Sequence, residues 1–202
     1  MQIAGAIRQT RLSIFTWRYH ADLPLKITLA ILMAIFTGLL AQVRLPLPFT
    51  PVPVTGQTMA VLLAGVMLGK KWGGLSMMIY GILGFAGLPW FNATTSGLGA
   101  TAGYILGFVL AAGFIGHLTD SYLKSRSFYG LLATMLFASL VLVYVPGLLW
   151  LGGWMNLVLH KPADVSSIIG MGALPFIAGD VIKAVAAAGI AWLILPKTSY
   201  SQ

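Results

Sequence analysis

The chain has 202 residues, of which 58% are apolar and only 8% are charged, and its mean hydropathy is +0.91. Soluble domains carry about 25% charged residues, so this composition excludes a soluble protein and predicts an all-α polytopic membrane protein. Twelve basic residues stand against four acidic ones, and cysteine is absent. Disulfides and thiol catalysis are therefore excluded. We interpret the net charge of +8 as a sign of membrane orientation rather than of nucleic-acid binding.

The N-terminal segment is basic and has no uninterrupted apolar core of signal-peptide length. Its arginines, Arg8, Arg11 and Arg18, are spaced among isolated apolar residues. This pattern fits either an interfacial helix on the cytoplasmic leaflet or a disordered basic tail. The predicted domains are a cytoplasmic N-terminal segment (1–24), a transmembrane substrate-binding domain (25–197) and a cytoplasmic tail (198–202).

Apolar runs separated by prolines, glycines and charges predict six transmembrane helices. They cover approximately residues 25–43, 56–69, 72–88, 101–118, 128–151 and 172–195. The second run has 14 residues, fewer than the roughly 20 that cross a bilayer, so it is either a tilted span or a re-entrant segment. Six spans place nine of the twelve basic residues on one side and two in the loops opposite. By the positive-inside rule, both termini of this plasma-membrane protein then lie in the cytoplasm.

No sequence motif indicates catalysis or nucleotide binding. Three residues rather than four separate Gly65 from Gly69, and Lys71 stands where a phosphate loop requires Ser or Thr. The three histidines are far apart and lack the spacing of a zinc site. We therefore expect no enzyme activity, no metal and no cofactor in this chain, and any ATP hydrolysis belongs to a partner.

Asp180 is the only acidic residue inside a predicted span. A charge at the centre of a membrane helix costs about 3 kcal/mol, so such a residue marks a functional site by default. Lys183 lies three residues later, on the same helical face. Two interpretations remain open at this point. Asp180 and Lys183 form a structural ion pair, or Asp180 accepts hydrogen bonds from N–H groups of a ligand near the outer mouth.

Further candidate binding residues lie at the ends of spans and in the long outer connections. Gln57 begins the second span, Asn92 lies beside Trp90 after the third span, and Arg44 precedes a proline cluster. A few polar groups among apolar walls are typical of a small-molecule pocket, whereas interfacial anchoring is the alternative role for the aromatic residues. The predicted substrate-binding residues are Asp180, Asn92, Lys183, Gln57, Arg44, Trp90 and Tyr104.

Small residues recur at every fourth position of the first span, at Ala30, Ala34 and Gly38. Such a ladder lets helix backbones approach closely. It indicates either packing within the bundle or docking of a partner helix.

Three stretches of the chain carry recognisable motifs. The first is PLPFTPVPVTGQTMAVLLAGVMLGKKWG, the second is GLPWFNATTSGLGATAGYILGF, and the third is PFIAGDVIKAVAA with its P-x-x-x-G-D-x-I-K pattern. Together they cover about residues 44–188 and resemble the BioY family. These proteins are the biotin-specific substrate-binding (S) components of energy-coupling factor (ECF) vitamin transporters. One departure is the sequence Gly-Ala-Thr-Ala-Gly at residues 99–103, where the family commonly has Gly-Pro-Thr-Gly-Gly.

The resemblance implies a six-helix S-component fold that captures biotin with high affinity from the outside. It implies that Asp180 and Asn92 hold the ureido ring. From the chemistry of biotin, Arg44, Lys183 or a helix N-terminus could meet its carboxylate. The resemblance also implies partners, namely a transmembrane T subunit and two cytoplasmic ATPases, with Ala30 and Ala34 as the docking face. The surrounding lipid is a further partner, and the sequence leaves a homo-oligomer open. The alternatives are an S component for another vitamin and, from a different class, an intramembrane enzyme.

Overall fold

The protein is described by a computed structural model that covers residues 2–91 and 96–199. The described ranges are mostly helical, as the composition predicts, with one short antiparallel ribbon. The helices are α1 (Gln2–His20), α2 (Leu23–Gln42), α3 (Gln57–Phe85), α4 (Ala102–Ser121), α5 (Phe128–Phe137), α6 (Tyr144–Leu157), α7 (Val165–Gly172) and α8 (Leu174–Ile194), and the ribbon pairs β1 (Arg44–Leu45) with β2 (Val54–Thr55).

Four helical stretches in the described ranges are long and apolar enough to cross a membrane. They are Leu23–Gln42, Ala102–Ser121, Phe128–Leu157 and Val165–Ile194, with mean hydropathy between 1.6 and 2.2. The third stretch joins α5 and α6 through a π-helix at Ala138–Val143, and the fourth joins α7 and α8. The prediction of a multi-pass membrane protein is confirmed. The two other predicted spans, the second and the third, overlap the two halves of α3.

Helix α3 is a hairpin with two antiparallel arms, 57–68 and 70–85. Gly69 breaks it with a φ of 80° and a ψ of −174°, a conformation that glycine adopts without steric cost. A Cβ on Gly73 would lie 2.9 Å from the Cα of Gly65, and the Gln57 amide donates to the Tyr80 hydroxyl at 2.7 Å. In a straight helix those last two residues would stand about 34 Å apart.

Helix α2 packs its small-residue face against the rest of the chain. Pro24 stands in its first turn, where the missing N–H has no helical partner to lose. Ala30 and Ala34 are both 0% exposed. The chain's own helices thus cover both alanines in this conformation, and their role as a docking face stays a prediction. Packing within the bundle, the other interpretation of the ladder, is what the structure shows.

The two ends of the bundle differ chemically. At one end, which we call the basic end, the Arg18 guanidinium pairs with Asp120 at 2.8 Å. The buried Arg126 donates to the carbonyls of Pro196 and Thr198 at 3.2 and 2.8 Å. These contacts bring the end of α1, the end of α4 and the end of α8 together. The N-terminal segment forms a helix that ends at residue 20. Its placement at the membrane interface stays a prediction.

Candidate binding pocket

A pocket opens at the end of the bundle opposite the basic end. It holds about 570 Å³ of empty space, counting its open mouth. The ribbon connection covers it, and the N-terminal turns of α3 and α4 together with α6 and α8 form its walls. The lining residues are Val52, Pro53, Val54, Thr55, Gln57, Thr58, Phe91, Thr101, Tyr104, Ile105, Phe108, Val143, Tyr144, Phe176, Asp180 and Lys183.

The carboxylate of Asp180 is the acidic group of this pocket, and it is 4% exposed. The Tyr144 hydroxyl donates to Oδ2 at 2.6 Å, and the Lys183 ammonium donates to Oδ1 at 2.7 Å. A carboxylate offers about four acceptor positions, and these two bonds occupy two of them. The ion pair and the ligand acceptor, which the sequence left as alternatives, are therefore compatible in one geometry.

The position of Tyr144 depends on the π-helix that ends at the residue before it. A π-turn inserts one extra residue and so changes which face the following helix presents. Helix α4 allows this bulge because Gly107 has no side chain there, and a Cβ would lie 2.6 Å from the Val143 Cα. The Ser139 hydroxyl within the bulge is buried and has no hydrogen-bond partner in the described structure. Bulges of this kind are common at functional sites.

Tyr104 joins α4 to the start of α8. Its hydroxyl donates to the Gly172 carbonyl at 2.7 Å, and its ring meets the Tyr144 ring edge-on with 6.5 Å between centroids. A Cβ on Gly172 would lie 2.6 Å from the Tyr104 hydroxyl oxygen. This predicted residue therefore lines the pocket while its hydroxyl fixes the junction that precedes Asp180.

Gln57, another predicted residue, also lines the pocket. Both the oxygen and the nitrogen of its side-chain amide form hydrogen bonds within the chain. Its Nε2 donates to the Tyr80 hydroxyl at 2.7 Å, and its Oε1 accepts from the Thr55 hydroxyl at 2.8 Å. Trp90 lies behind this wall rather than in it. Its indole N–H donates to the Tyr80 carbonyl at 3.1 Å, and its side chain packs 3.3 Å from where a Cβ on Gly38 would stand.

One further predicted residue, Arg44, does not reach the pocket in the described structure. Arg44 is exposed on β1, paired with Thr55 across the ribbon, and does not line the cavity. Asn92 lies outside the described residues, so its role stays a prediction, although its chain neighbour Phe91 lines the pocket. The structure thus joins Asp180, Lys183, Gln57 and Tyr104 in one cavity.

Sequence reasoning missed Tyr144, Thr101 and the aromatic wall formed by Phe108 and Phe176. A tyrosine within an apolar run is a weak signal, because its hydroxyl finds a partner only when the helix register is known. The proline that follows, Pro146, was the one available hint of irregular helix geometry nearby.

Comparison with known proteins assigns the fold to a family. The sequence profile of the BioY family matches residues 13–199. The chain belongs to the BioY family. The first motif begins in the connection between the two strands of the ribbon and runs into α3, and the third lies on α8 around Asp180.

Individual relatives agree with this assignment. The probable biotin transporter BioY of Methanothermobacter thermautotrophicus is 43% identical over 144 residues, which is 69% of this chain and 92% of that protein. The biotin transporter BioY of Thermotoga maritima is 38% identical over 162 residues, covering 78% and 89% respectively. A crystal structure of the S-component for biotin from an ECF-type ABC transporter superposes with a TM-score of 0.70. It is 29% identical, and the match covers 83% of this chain and 88% of that one.

Proposed function

We propose that this chain captures biotin in the pocket at Asp180, as the substrate-binding subunit of an ECF-type transporter. The observation that carries the proposal is a buried carboxylate with two unused acceptor positions in a cavity that is otherwise mostly apolar. The relatives named as biotin transporters and the similar S-component for biotin supply the ligand class.

The ureido ring and the apolar bicycle of biotin each find counterparts in the pocket. Its two ureido N–H groups are donors and need a buried acceptor, which Asp180 provides. Its apolar bicycle and thioether fit against the rings of Phe91, Phe108 and Phe176. The ureido carbonyl needs a donor, for which the Thr101 hydroxyl lines the pocket and Asn92 is the residue that the family resemblance implies.

The arrangement supports six membrane spans with both termini in the cytoplasm. The two arms of α3 would be the second and third spans, added to the four long helices. Residues from the loops that the sequence assigns to the cytoplasm meet at the basic end, where Arg18, Lys70 and Asp120 are in contact and Arg126 bonds the carbonyls beside Lys197. A re-entrant second segment would separate these groups, contrary to their contacts and to the positive-inside rule.

Uptake on this account requires partners that supply the energy. The similar crystal structure is described as an S-component of an ECF-type ABC transporter, and we infer that this chain works with a transmembrane T subunit and two cytoplasmic ATPases. Docking at Ala30 and Ala34 would require the helices that cover them to move, because both are fully buried here.

Binding of labelled biotin to the purified chain tests the proposal. We expect one biotin per chain, displaced by unlabelled biotin and not by a panel of other vitamins at the same concentration. The released ligand should be chemically unchanged, which separates capture from an intramembrane enzyme reaction. Displacement by another vitamin at lower concentration than biotin would assign the site to that vitamin instead.

A further inference from the structure

A second cavity lies at the basic end, far from Asp180. It holds about 1450 Å³, counting its open side, between the α1–α2 junction, the turn of α3 and the end of α4. Lys26, Lys70 and Lys71 line it, and none of the three is ion-paired to a carboxylate in the part of the chain that the structure describes. Asp120, the acidic residue in its wall, is already paired with Arg18 at 2.8 Å and accepts the backbone N–H of Lys70 at 3.0 Å.

An apolar groove adjoins this cavity and shares two wall residues with it, Arg18 and Leu68. The groove holds about 1300 Å³, counting its open side, between α1, α2, the first arm of α3 and the end of α8. Its surface is almost entirely apolar and includes Trp17, Leu29 and Leu193. Trp17 and Leu193 are each 54% exposed, so the groove is not filled by the chain itself.

Basic residues continue along the groove. Arg11 lies in its wall, and the Lys197 ammonium donates to the Arg126 carbonyl nearby. Burial, together with the charges of Arg11 and Arg126, lowers the pKa of Lys197. Neighbouring cations lower a lysine pKa in this way where no anion balances them. An anion at this end would therefore relieve repulsion as well as gain contacts.

We propose that an anionic phospholipid binds at the basic end, with its phosphate among Lys26, Lys70 and Lys71 and one acyl chain in the adjoining groove. The juxtaposition of a basic cavity and an apolar groove matches the two halves of such a lipid. Ammonium groups bind phosphate through charge-assisted hydrogen bonds, and basic pockets beside membrane helices bind anionic headgroups. An acidic protein segment would satisfy the lysines and leave the apolar groove empty, so the lipid fits both surfaces better.

The site is separate from the biotin pocket. Helix α4 runs from Tyr104 at the pocket to Asp120 at the basic end, and 16 residues of helix span about 24 Å. The bound lipid would contact α1, α3 and α8 at once, and a ligand that binds only the folded arrangement stabilises it. This inference does not depend on the identity of the captured substrate.

Fluorescence quenching by brominated lipids tests the proposal on the purified full-length chain in detergent. Phosphatidylglycerol with brominated acyl chains is compared with phosphatidylcholine carrying the same chains. The part of the tryptophan fluorescence that disappears in the Trp17→Phe variant reports lipid bound in the groove. The test variant is the double substitution K70Q/K71Q. Its matched control is K124Q/K161Q, which removes the same charge at exposed lysines outside both cavities, and melting temperatures confirm that both variants are folded.

We expect phosphatidylglycerol to quench the Trp17 signal at a concentration about tenfold or more below that of phosphatidylcholine. K70Q/K71Q should lose this preference, and K124Q/K161Q should keep it. Millimolar inorganic phosphate should leave most of the quenching in place, because it lacks the acyl chain. The proposal fails if the two lipids quench equally, if K70Q/K71Q keeps the preference, or if inorganic phosphate alone displaces the lipid, which would indicate a plain anion site.

Discussion

Substitution of Asp180 by Asn tests whether the carboxylate accepts hydrogen bonds from the ligand or only neutralises Lys183. The change keeps the size of the side chain and removes the charged acceptor. Each hydrogen bond to a charged group contributes about 1.5–3 kcal/mol, and the geometry leaves two acceptor positions on Asp180 for the ligand. Loss of one such bond, at about 2–3 kcal/mol, raises the Kd for biotin about 30- to 150-fold.

A double variant separates the two roles. In Asp180→Asn the Lys183 ammonium, which is 18% exposed in the native chain, loses its counter-charge, and this alone disturbs the pocket. In D180N/K183M both charges are gone. If Asp180 only neutralises Lys183, the double variant should bind biotin nearly as well as the native chain.

Calorimetric titration of biotin into the purified variants measures this difference. We expect the double variant to remain at least as weak as Asp180→Asn. Asp22→Asn is the control, because Asp22 is exposed and its side chain makes no capping bond at the start of α2. Recovery of affinity to within about threefold of native in D180N/K183M would refute the role of Asp180 as the ligand acceptor.

Three further variants test the pocket and the fold. Tyr144→Phe removes the hydroxyl that donates to Asp180 and should raise the Kd for biotin about five- to tenfold; equal affinity would contradict the geometry. Gly69→Ala places a side chain at a φ of 80°, at a cost of about 1–3 kcal/mol, so its melting temperature should fall well below that of Gly153→Ala, an open site. Arg44→Ala should bind biotin within about twofold of native because Arg44 lies outside the lining; a tenfold loss would show that this residue reaches the ligand.

Composition predicted the membrane bundle correctly because hydropathy is a property of long stretches and does not depend on details of packing. The interruption by Lys70 and Lys71 separated two predicted helices. The structure shows the break one residue earlier, at Gly69, with the two arms folded against each other. Position along the sequence was thus enough to find the turn, while the tight antiparallel contact depends on Gly65 and Gly73, which meet only once the two arms have folded together.

The charged residues of the candidate site could be predicted from the sequence, because charges are rarely buried inside membrane spans. Asp180 and Lys183 stood out because ionisable groups inside a span are costly, and the structure places both in the pocket. Tyr144 did not stand out, since its position depends on a π-helix that no local pattern indicated. The ladder at Ala30 and Ala34 was ambiguous for a related reason, because the same small residues suit contacts inside the chain and contacts with a partner.

A structure of the chain with biotin bound, recorded with anomalous scattering from sulfur, tests the central claim most directly. The chain has nine methionines and no cysteine, so protein sulfur sites are limited to those nine. We predict one additional sulfur site inside the pocket, with a ureido nitrogen within about 3.2 Å of an Asp180 oxygen. A bound biotin whose sulfur lies outside this cavity, or whose ureido ring makes no contact with Asp180, would contradict the account.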